Sequence, residues 1–219
     1  MRYKSEQKQQ TRERILNAAG TVFRRMGYQA AGVDKVMAEA GLTAGGFYAH
    51  FRSKEALLAE TIPYAARKNR PLLERGLENA TGTEWVSTFV GRYLSMLHRN
   101  HPERGCPLPA LLPEVGRADN AARLALEELL KDYADRFAAR LPQDLPNDRA
   151  LAVIALMVGG IALSRAVVDE TLAERVLAAC RSFVDDGLTQ DSTASSKSKG
   201  RGSHSSVRTS RRTPGEEKS

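Results

Sequence analysis

The residues from Val33 to Phe51 constrain the fold of this chain more than any other stretch. Four apolar side chains recur there at helical spacing and give a first short helix one inward face: Val33, Val36, Met37 and Ala40. Gly41 ends that helix, because glycine adopts the left-handed conformation without steric cost. The Thr43 hydroxyl is then predicted to cap a second helix, from Ala44 to about Phe51. Two short helices joined by a tight turn predict a helix-turn-helix.

The second helix carries two glycines in its first turn, Gly45 and Gly46. Each is roughly 1 kcal/mol worse than alanine in a helix, so their use is to let a partner approach the backbone closely. Of its aromatic residues, Phe47 and Phe51 are predicted to fill the core. Tyr48 and His50 point elsewhere, with polar tips that face a partner. Because the second helix of such a motif enters the DNA major groove, the stretch predicts a DNA-binding head.

Two adjoining blocks resemble the TetR (tetracycline-repressor) family of one-component transcription regulators. The run GLTAGGFYAHFRSKEALL, from Gly41 to Leu58, is similar to the family signature, and TRERILNAAGTVFRRMGY, from Thr11 to Tyr28, is similar to its first helix. The resemblance covers residues 8–68. It implies an all-α protein of about nine helices, with an N-terminal three-helix helix-turn-helix domain and a C-terminal helical domain that binds an effector and dimerises.

The resemblance also implies the residues that contact DNA. In the family, a lysine at the position of Lys54 meets a phosphate at a helix N-terminus, which itself favours an anion. Backbone or groove contacts carry over to the remaining residues of the set: Thr43, Gly45, Gly46, Tyr48 and His50. A core ring with a surface hydroxyl is the alternative for Tyr48, and a plain surface histidine is the alternative for His50. Ala44 stands where the family often has lysine, so base readout is predicted to be sparse.

Composition and charge agree with this prediction. Few windows alternate with period two while many repeat near 3.6, and aromatic residues make up only 6% of the chain, so helices with aliphatic cores are favoured. The net charge of +7 is divided unevenly: +6 in residues 1–54, −3 in residues 55–188 and +4 in residues 189–219. A basic head on an acidic body fits a protein whose head meets phosphate, although solvated charged faces are the alternative explanation.

Several classes of protein are disfavoured. The chain has no charged-then-apolar leader, and its longest uncharged run is too short for a membrane span, so we expect a cytoplasmic protein. Two distant cysteines do not make a disulfide framework. We find no glycine-rich phosphate loop after a strand, no nucleophile elbow and no histidine–cysteine set with zinc spacing. The sequence therefore predicts neither an enzyme nor a bound cofactor or metal.

The predicted body contains candidates for binding a small effector. Seven aromatic or sulfur-bearing side chains are predicted to line an apolar cavity, although each alone is more often a core residue: Trp85, Phe89, Tyr93, Met96, Tyr133, Phe137 and Met157. Cys106 follows Arg104 in an irregular segment and resembles a cysteine of the N-ethylmaleimide-responsive repressors of the family. A thiol that senses electrophiles is one hypothesis for Cys106, and an inert buried side chain is the other.

The end of the body is predicted to form the dimer interface. The run from Leu151 to Leu163 has no charged residue, and a helix that is apolar all round needs cover on every side. We predict that it pairs, with a helix from Thr171 to Leu188, against the same two helices of a second copy; a core helix within one chain is the alternative. Residues 189–219 are predicted to form a disordered basic tail, which holds DNA non-specifically or aids solubility.

These predictions divide the chain into a DNA-binding domain (8–68), an effector-binding and dimerisation domain (69–188) and the tail. A helix from Lys54 to about Ala66 is predicted to join the first two, with a separate helix from Pro71 to Ala80. The predicted function is that of a homodimeric repressor on an inverted-repeat operator, released by an apolar, aromatic or electrophilic effector. The alternatives are an architectural DNA-binding protein without an effector and, third, an all-α enzyme.

Overall fold

The computed structural model describes residues 2–141 and 148–199, with side-chain environments for residues 5–141 and 148–188. Within these ranges the chain forms nine α-helices and two short 3₁₀ helices and has no strand, which confirms the all-α prediction. The α-helices are α1 (Arg2–Met26), α2 (Val33–Glu39), α3 (Lys54–Glu74), α4 (Gly82–Tyr93), α5 (Met96–Asn100), α6 (Leu108–Val115), α7 (Asn120–Ala138), α8 (Asp148–Ala166) and α9 (Glu170–Lys199). The 3₁₀ helices are Ala44–Ala49 and Pro102–Arg104.

The N-terminal head is formed by α1, α2, the first 3₁₀ helix and the start of α3. Its centre consists of fully buried apolar side chains from each of these elements: Ile15, Phe23, Met37, Phe47 and Leu57. The predicted core residue Phe51 is also buried, and its ring stacks on that of Phe47 with centroids 5.8 Å apart. Apolar residues at helical spacing thus make the head a single packed unit.

Helix α3 is one continuous rod that joins the head to the body. The predicted break before a second helix at Pro71 is wrong, because α3 passes through both Pro63 and Pro71 and ends at Glu74. A proline inside a helix removes a backbone hydrogen bond. The lost bonds are offset by burial, since one face of α3 packs between α1 and α7 with Leu57, Leu58 and Ile62 nearly inaccessible. The boundary predicted at residue 68 therefore falls inside a helix.

The last helix is longer than predicted. It begins at Glu170 and continues to Lys199, past Leu188, where the sequence analysis ended it. The first part of the predicted disordered tail is thus helical backbone, and residues 200–219 lie outside the described residues. The face of α9 that carries Ala173, Leu177 and Val184 is buried against its neighbours α4 and α8.

Helix α8 is the most apolar element of the body. Its 19 residues pass the length and composition test for a membrane-spanning helix, which the 13-residue run used in the sequence analysis did not. In the described part of the chain no other helix passes it. Of its most apolar window, 44% is buried, and Ala150, Ile161 and Ser164 are completely inaccessible. This burial is typical of a core helix in a globular body, packed here mainly against α7 and α9.

Candidate DNA-binding face and effector cavity

The turn of the predicted helix-turn-helix has the expected backbone. Gly41 has a φ of 65°, and the Leu42 N–H donates to the Met37 carbonyl at 2.9 Å, which closes the end of α2. Thr43 occupies the N-cap position in an extended conformation, but its side chain makes no capping hydrogen bond, so that prediction is wrong. The second helix is a 3₁₀ helix that ends at Ala49. The first turn is therefore held by backbone contacts, which leaves the exposed Thr43 hydroxyl uncommitted to the cap.

The 3₁₀ helix presents Tyr48 to solvent. Its side chain is 74% exposed, whereas the preceding Phe47 is completely buried and meets the Tyr48 ring edge-on at 5.2 Å. The alternative of a buried core ring does not apply to Tyr48. A Cβ added to Gly45 would meet nothing within 4 Å, so packing within the chain does not require glycine there. The role predicted for Gly45, close approach by an outside partner, is compatible with this open space.

Lys54 stands in the first turn of α3. The Ser53 hydroxyl caps this helix by accepting the Ala56 N–H at 3.1 Å. The Lys54 ammonium lies 4.2 Å from the centroid of the Tyr28 ring and donates to the Gln29 carbonyl at 3.4 Å. Both contacts are weak and lie at the surface. They hold the ammonium at the helix N-terminus, and its positive charge is not neutralised by them.

His50 ends the 3₁₀ helix and is half-buried. Burial lowers its pKa, and the positive charges of Lys8 and Arg12 lower it further. The imidazole is therefore neutral near pH 7 and acts there as a polar group rather than as a cation. Its Nδ1 atom is buried without a hydrogen-bond partner.

The body encloses an apolar cavity between α3, α4, α7 and α8, with the start of α6 at one end. Six of the seven predicted effector-site residues line it, together with Cys106: Trp85, Phe89, Tyr93, Tyr133, Phe137 and Met157. Met96 is not among the lining residues; it begins α5 and packs, half-buried, against the core. The free volume is only about 40 Å³, room for a few water molecules at most.

Three aromatic rings form one wall of this cavity. The Trp85 and Phe89 rings are stacked with centroids 4.8 Å apart, and Phe137 meets both edge-on, at 5.2 Å and 5.1 Å. The Arg140 guanidinium lies over the outer part of this cluster, 4.8 Å from the Trp85 ring. Sequence spacing predicts Trp85 and Phe89 on one helical face, but the third ring comes from α7 and is brought in by tertiary packing.

Two long-range contacts tie the head to the body. The Glu114 carboxylate, at the end of α6, accepts the N–H groups of Tyr28 and Gln29, the latter at 3.4 Å. Gly27 makes this turn with a φ of 80°. At the end of α1, the Arg24 guanidinium donates to the Glu103 carbonyl, with its Nε at 3.1 Å. Because α6 also borders the cavity through Leu108, the same short helix contacts both the cavity and the head.

Comparison with known proteins identifies this arrangement. Residues 15–61 match the sequence model of bacterial regulatory proteins, tetR family. Over 168 residues the chain is 25% identical to the uncharacterized HTH-type transcriptional regulator YxaF of Bacillus subtilis, which covers 74% of this chain and 88% of that protein. The HTH-type transcriptional regulator LmrA of the same organism is 27% identical over 161 residues, 70% of this chain and 86% of LmrA.

The fold agrees with the sequence matches. A TetR transcriptional regulator from Chloroflexus aurantiacus superposes with a TM-score of 0.69 and 25% identity, over 84% of this chain and 97% of that one. This chain matches the TetR family in its N-terminal domain and in its fold. It is accordingly a transcriptional regulator that binds DNA through a helix-turn-helix, in a family whose members are generally not enzymes. In the described residues no three His, Cys, Asp or Glu side chains are grouped to hold a metal ion.

Cys106 is buried at the wall of the cavity. The sequence analysis expected Arg104 and a helix start to favour the thiolate, but the Arg104 side chain is 79% exposed and the cysteine is buried. Burial raises the pKa of the Cys106 thiol and outweighs the opposing influences of Tyr93 and Arg24. Burial thus opposes the thiolate that the thiol-sensor hypothesis requires, and Cys106 lies among the residues that line the cavity.

Behind Cys106, a buried histidine organises the same segment. The His98 Nδ1–H donates to the Tyr93 carbonyl at 2.7 Å, and Nε2 accepts the Cys106 N–H at 3.0 Å, so the neutral ring is fully satisfied. The Asn69 amide donates to the Gly105 carbonyl at 2.6 Å. A Cβ on Gly105 would lie 2.3 Å from His98 Nε2, so only glycine fits between the ring and the chain.

Acid is expected to destabilise this protein through His98. Its pKa is lowered to about 4, chiefly because burial disfavours the imidazolium, while the unfolded value is 6.5. Below pH 6.5, His98 binds a proton in the unfolded chain but not in the folded chain. Stability is therefore full above pH 6.5 and falls as the pH drops towards 4, by about 3 kcal/mol in all. Urea unfolding of wild type at a series of pH values measures this loss.

The matched variants separate His98 from other titrating groups. His98→Gln is expected to remove most of the loss between pH 6.5 and 4, whatever its stability at pH 7. His101→Gln, at an exposed position, is expected to retain it. A His98→Gln protein with the pH dependence of wild type would contradict the assignment.

Sequence reasoning missed the polar side chains of the cavity. Asn69, Arg70 and Glu74 come from the end of α3, and Arg136 comes from α7. The Arg70 guanidinium donates to Asp132 at 3.0 Å, and Arg136 donates to both oxygens of the same carboxylate at 2.9 Å and 3.0 Å. The signal available was the i,i+4 spacing of Asp132 and Arg136, but nothing in the sequence relates either residue to Arg70.

Proposed function

We propose that this protein is a cytoplasmic, homodimeric transcriptional repressor that binds an inverted-repeat operator and is released by a small apolar or aromatic effector. The exposed helix-turn-helix face around Tyr48 carries the proposal. In this division residues 8–68 form the DNA-binding domain and residues 69–188 bind effector and partner. The charge division of +6 in residues 1–54 against −3 in residues 55–188 supports phosphate contact by the head alone.

The proposed DNA contacts lie in one run of chain. Thr43, Gly45 and Tyr48 are exposed, whereas Gly46, His50 and Lys54 are half-buried. Phosphate contact is assigned to Tyr48 and Lys54, and close backbone approach to the two glycines. Few of these side chains reach base edges, so DNA shape is expected to carry much of the operator preference.

Lys54→Ala is expected to weaken binding similarly for operator and random DNA. The variant loses one phosphate contact, so the slope of log K against log salt concentration flattens by about 0.9. Fluorescence anisotropy over a salt series measures both quantities. Lys35→Ala, which removes another exposed lysine of the head, serves as the control. A Lys54→Ala slope equal to that of wild type would remove this lysine from the phosphate contacts.

The homodimer is proposed from apolar surface that one chain leaves uncovered. On α8, Leu151 is 41% and Leu163 62% exposed, and on α9 Leu172 is 41% and Phe183 69% exposed. A groove between the two helices is lined by Ala152, Ala155, Leu156 and Phe183. Exposed apolar patches of this kind mark contact with another protein. A second copy would bury them as a four-helix interface, and two heads would then reach successive major grooves about 34 Å apart.

Effector release is proposed to depend on opening the body. The cavity of about 40 Å³ is too small for a drug-sized molecule, which needs several hundred. A ligand therefore binds only a wider arrangement of α3, α4 and α7, and by binding it selects that arrangement. Helix α3 runs without interruption from Lys54 at the head to Glu74 at the cavity. Widening the cavity thus moves the head and changes the spacing of the two heads.

Nuclease footprinting tests this function against its alternative. A repressor protects one palindrome upstream of the genes that it regulates, and an effector found by thermal-shift screening abolishes the protection. An architectural protein without effector coats any duplex, a behaviour that the basic residues 189–219 favour. Protection that spreads over every sequence would therefore replace the proposal with the architectural function.

A further inference from the structure

Two side chains that line the effector cavity each have a buried hydrogen-bond donor without a strong acceptor. The Nε–H group of Arg70 is buried with no partner, and the Tyr93 hydroxyl has no nitrogen or oxygen partner and only the Cys106 thiol beside it. Both side chains line the cavity. A buried donor that lacks a partner destabilises the unliganded protein, and more so when it belongs to a charged group. The cavity is thus complementary to a ligand that brings acceptor oxygens.

The Arg70 end of the cavity already holds an arrangement for a carboxylate. Arg70 and Arg136 both donate to Asp132, so two guanidinium groups share one carboxylate. The Glu74 carboxylate also lines this end, and the formal charges of the four groups cancel. Recognition therefore depends on direct hydrogen bonding to the free Arg70 Nε–H rather than on net charge. A guanidinium that uses one nitrogen for Asp132 retains donors for a second oxyanion.

The opposite wall selects the rest of the ligand. Trp85, Phe89 and Phe137 present a mixture of ring faces and edges. Ile154, Met157 and Val158 on α8 complete an apolar lining. Such a wall favours a flat ring inserted against the aromatic cluster. The ring cluster and the donors line the same cavity, so one ligand that opens this cavity can meet both.

We infer that the effector is a planar aromatic carboxylate, with its ring against Trp85, Phe89 and Phe137 and its carboxylate on Arg70 Nε. This inference rests on the proposed effector-binding function and narrows it to one ligand class. The Tyr93 hydroxyl donates to a second oxygen of the same ligand.

Calorimetric titration of the full-length protein with 2-naphthoate and with 2-naphthalenemethanol tests the inference. The two probes share a ring system and differ in the anionic group. The acid is expected to bind at least ten times more tightly, because a charge-assisted hydrogen bond contributes about 1.5–3 kcal/mol. Arg70→Met is expected to remove this advantage, so that the acid and the alcohol bind the variant with similar affinity. Arg67→Met, one turn earlier on α3 and exposed, is the control and retains the preference.

Arg70→Lys is the second variant, since it keeps a positive charge on a long stem but lacks the Nε–H donor. It is expected to bind the acid about tenfold more weakly than wild type. Equal affinity of wild type for acid and alcohol, no binding of either probe, or undiminished acid binding by Arg70→Met would each overturn the inference. The proposed function fails separately, through the footprint: a protein that protects its palindrome but ignores naphthoate remains a repressor with another effector class.

Discussion

Replacement of Phe183 by glutamate is expected to leave the protein monomeric and its operator affinity at least about 100-fold lower. Phe183 is 69% exposed on α9, beside the groove formed with α8, so a single chain loses little packing when the ring is removed. In the proposed dimer the two-fold axis brings the substituted carboxylates of both copies into one apolar interface. An unpaired buried charge costs about 3–5 kcal/mol, which is a factor of at least 100 in association. Sedimentation velocity and operator binding by anisotropy measure the two effects.

Leu124→Glu is the matched control for this change. Leu124 is 58% exposed on α7, away from the α8–α9 groove, and the same charge there is expected to leave both dimer and operator binding intact. The monomeric Phe183→Glu protein should still fold, with the unfolding midpoint of a single chain. Its single head should still bind DNA, but weakly and in a salt-sensitive way. A variant that still sediments as a dimer would place the interface on another surface.

Replacement of Gly105 by alanine is expected to lower the free energy of unfolding by about 2–6 kcal/mol. The added Cβ would lie 2.3 Å and 2.4 Å from two ring atoms of His98, which is locked between the Tyr93 carbonyl and the Cys106 N–H. Relief requires the ring to leave one of its hydrogen bonds. The cost combines overpacking, about 1–3 kcal/mol, with a buried polar group left unsatisfied, about 1–3 kcal/mol. Urea unfolding at pH 7.5 measures the change.

Gly91→Ala provides the comparison. Gly91 lies inside α4, and a Cβ there meets nothing within 4 Å, so alanine is expected to raise the free energy of unfolding by up to about 1 kcal/mol. Opposite signs for the two glycines would confirm that the Gly105 effect is steric. An unchanged Gly105→Ala protein would mean that the segment from His101 to Pro107 yields easily, and that His98 does not fix it.

Local chemistry made the head predictable from the sequence. The Gly41 turn, the start of α3 at Lys54 and the burial of Phe47 depend on residues within one or two turns of each other, and each occurs as expected. The predicted Thr43 cap failed because its hydroxyl makes no bond to the helix it precedes. In the cavity, six lining residues were among the aromatic and sulfur-bearing side chains selected from the sequence, since large apolar side chains in a small body converge on its centre.

The remaining features depend on tertiary contacts that sequence patterns do not encode. Proline usually ends a helix, yet α3 continues past Pro71 because the packing of its buried face outweighs the lost hydrogen bond. Cys106 appeared reactive beside Arg104, but folding buries the thiol and turns the arginine outwards. The hydrogen bond from the Tyr28 N–H to the Glu114 carboxylate joins residues 86 positions apart. Its donor is a main-chain amide, so no residue type in the sequence marks it.

The hydrogen bonds between the Gly27–Gln29 turn and the Glu114 carboxylate affect how hybrid regulators can be engineered. Chimaeras that graft a foreign DNA reader onto an existing sensor assume that the two halves are interchangeable parts. Here the sensor half supplies a carboxylate that two amides of the reader require, and α3 offers no flexible junction at which to cut. A hybrid whose sensor half lacks the Glu114 carboxylate would leave those two amides without an acceptor. Successful hybrids of this protein would therefore have to exchange α6 together with the reader.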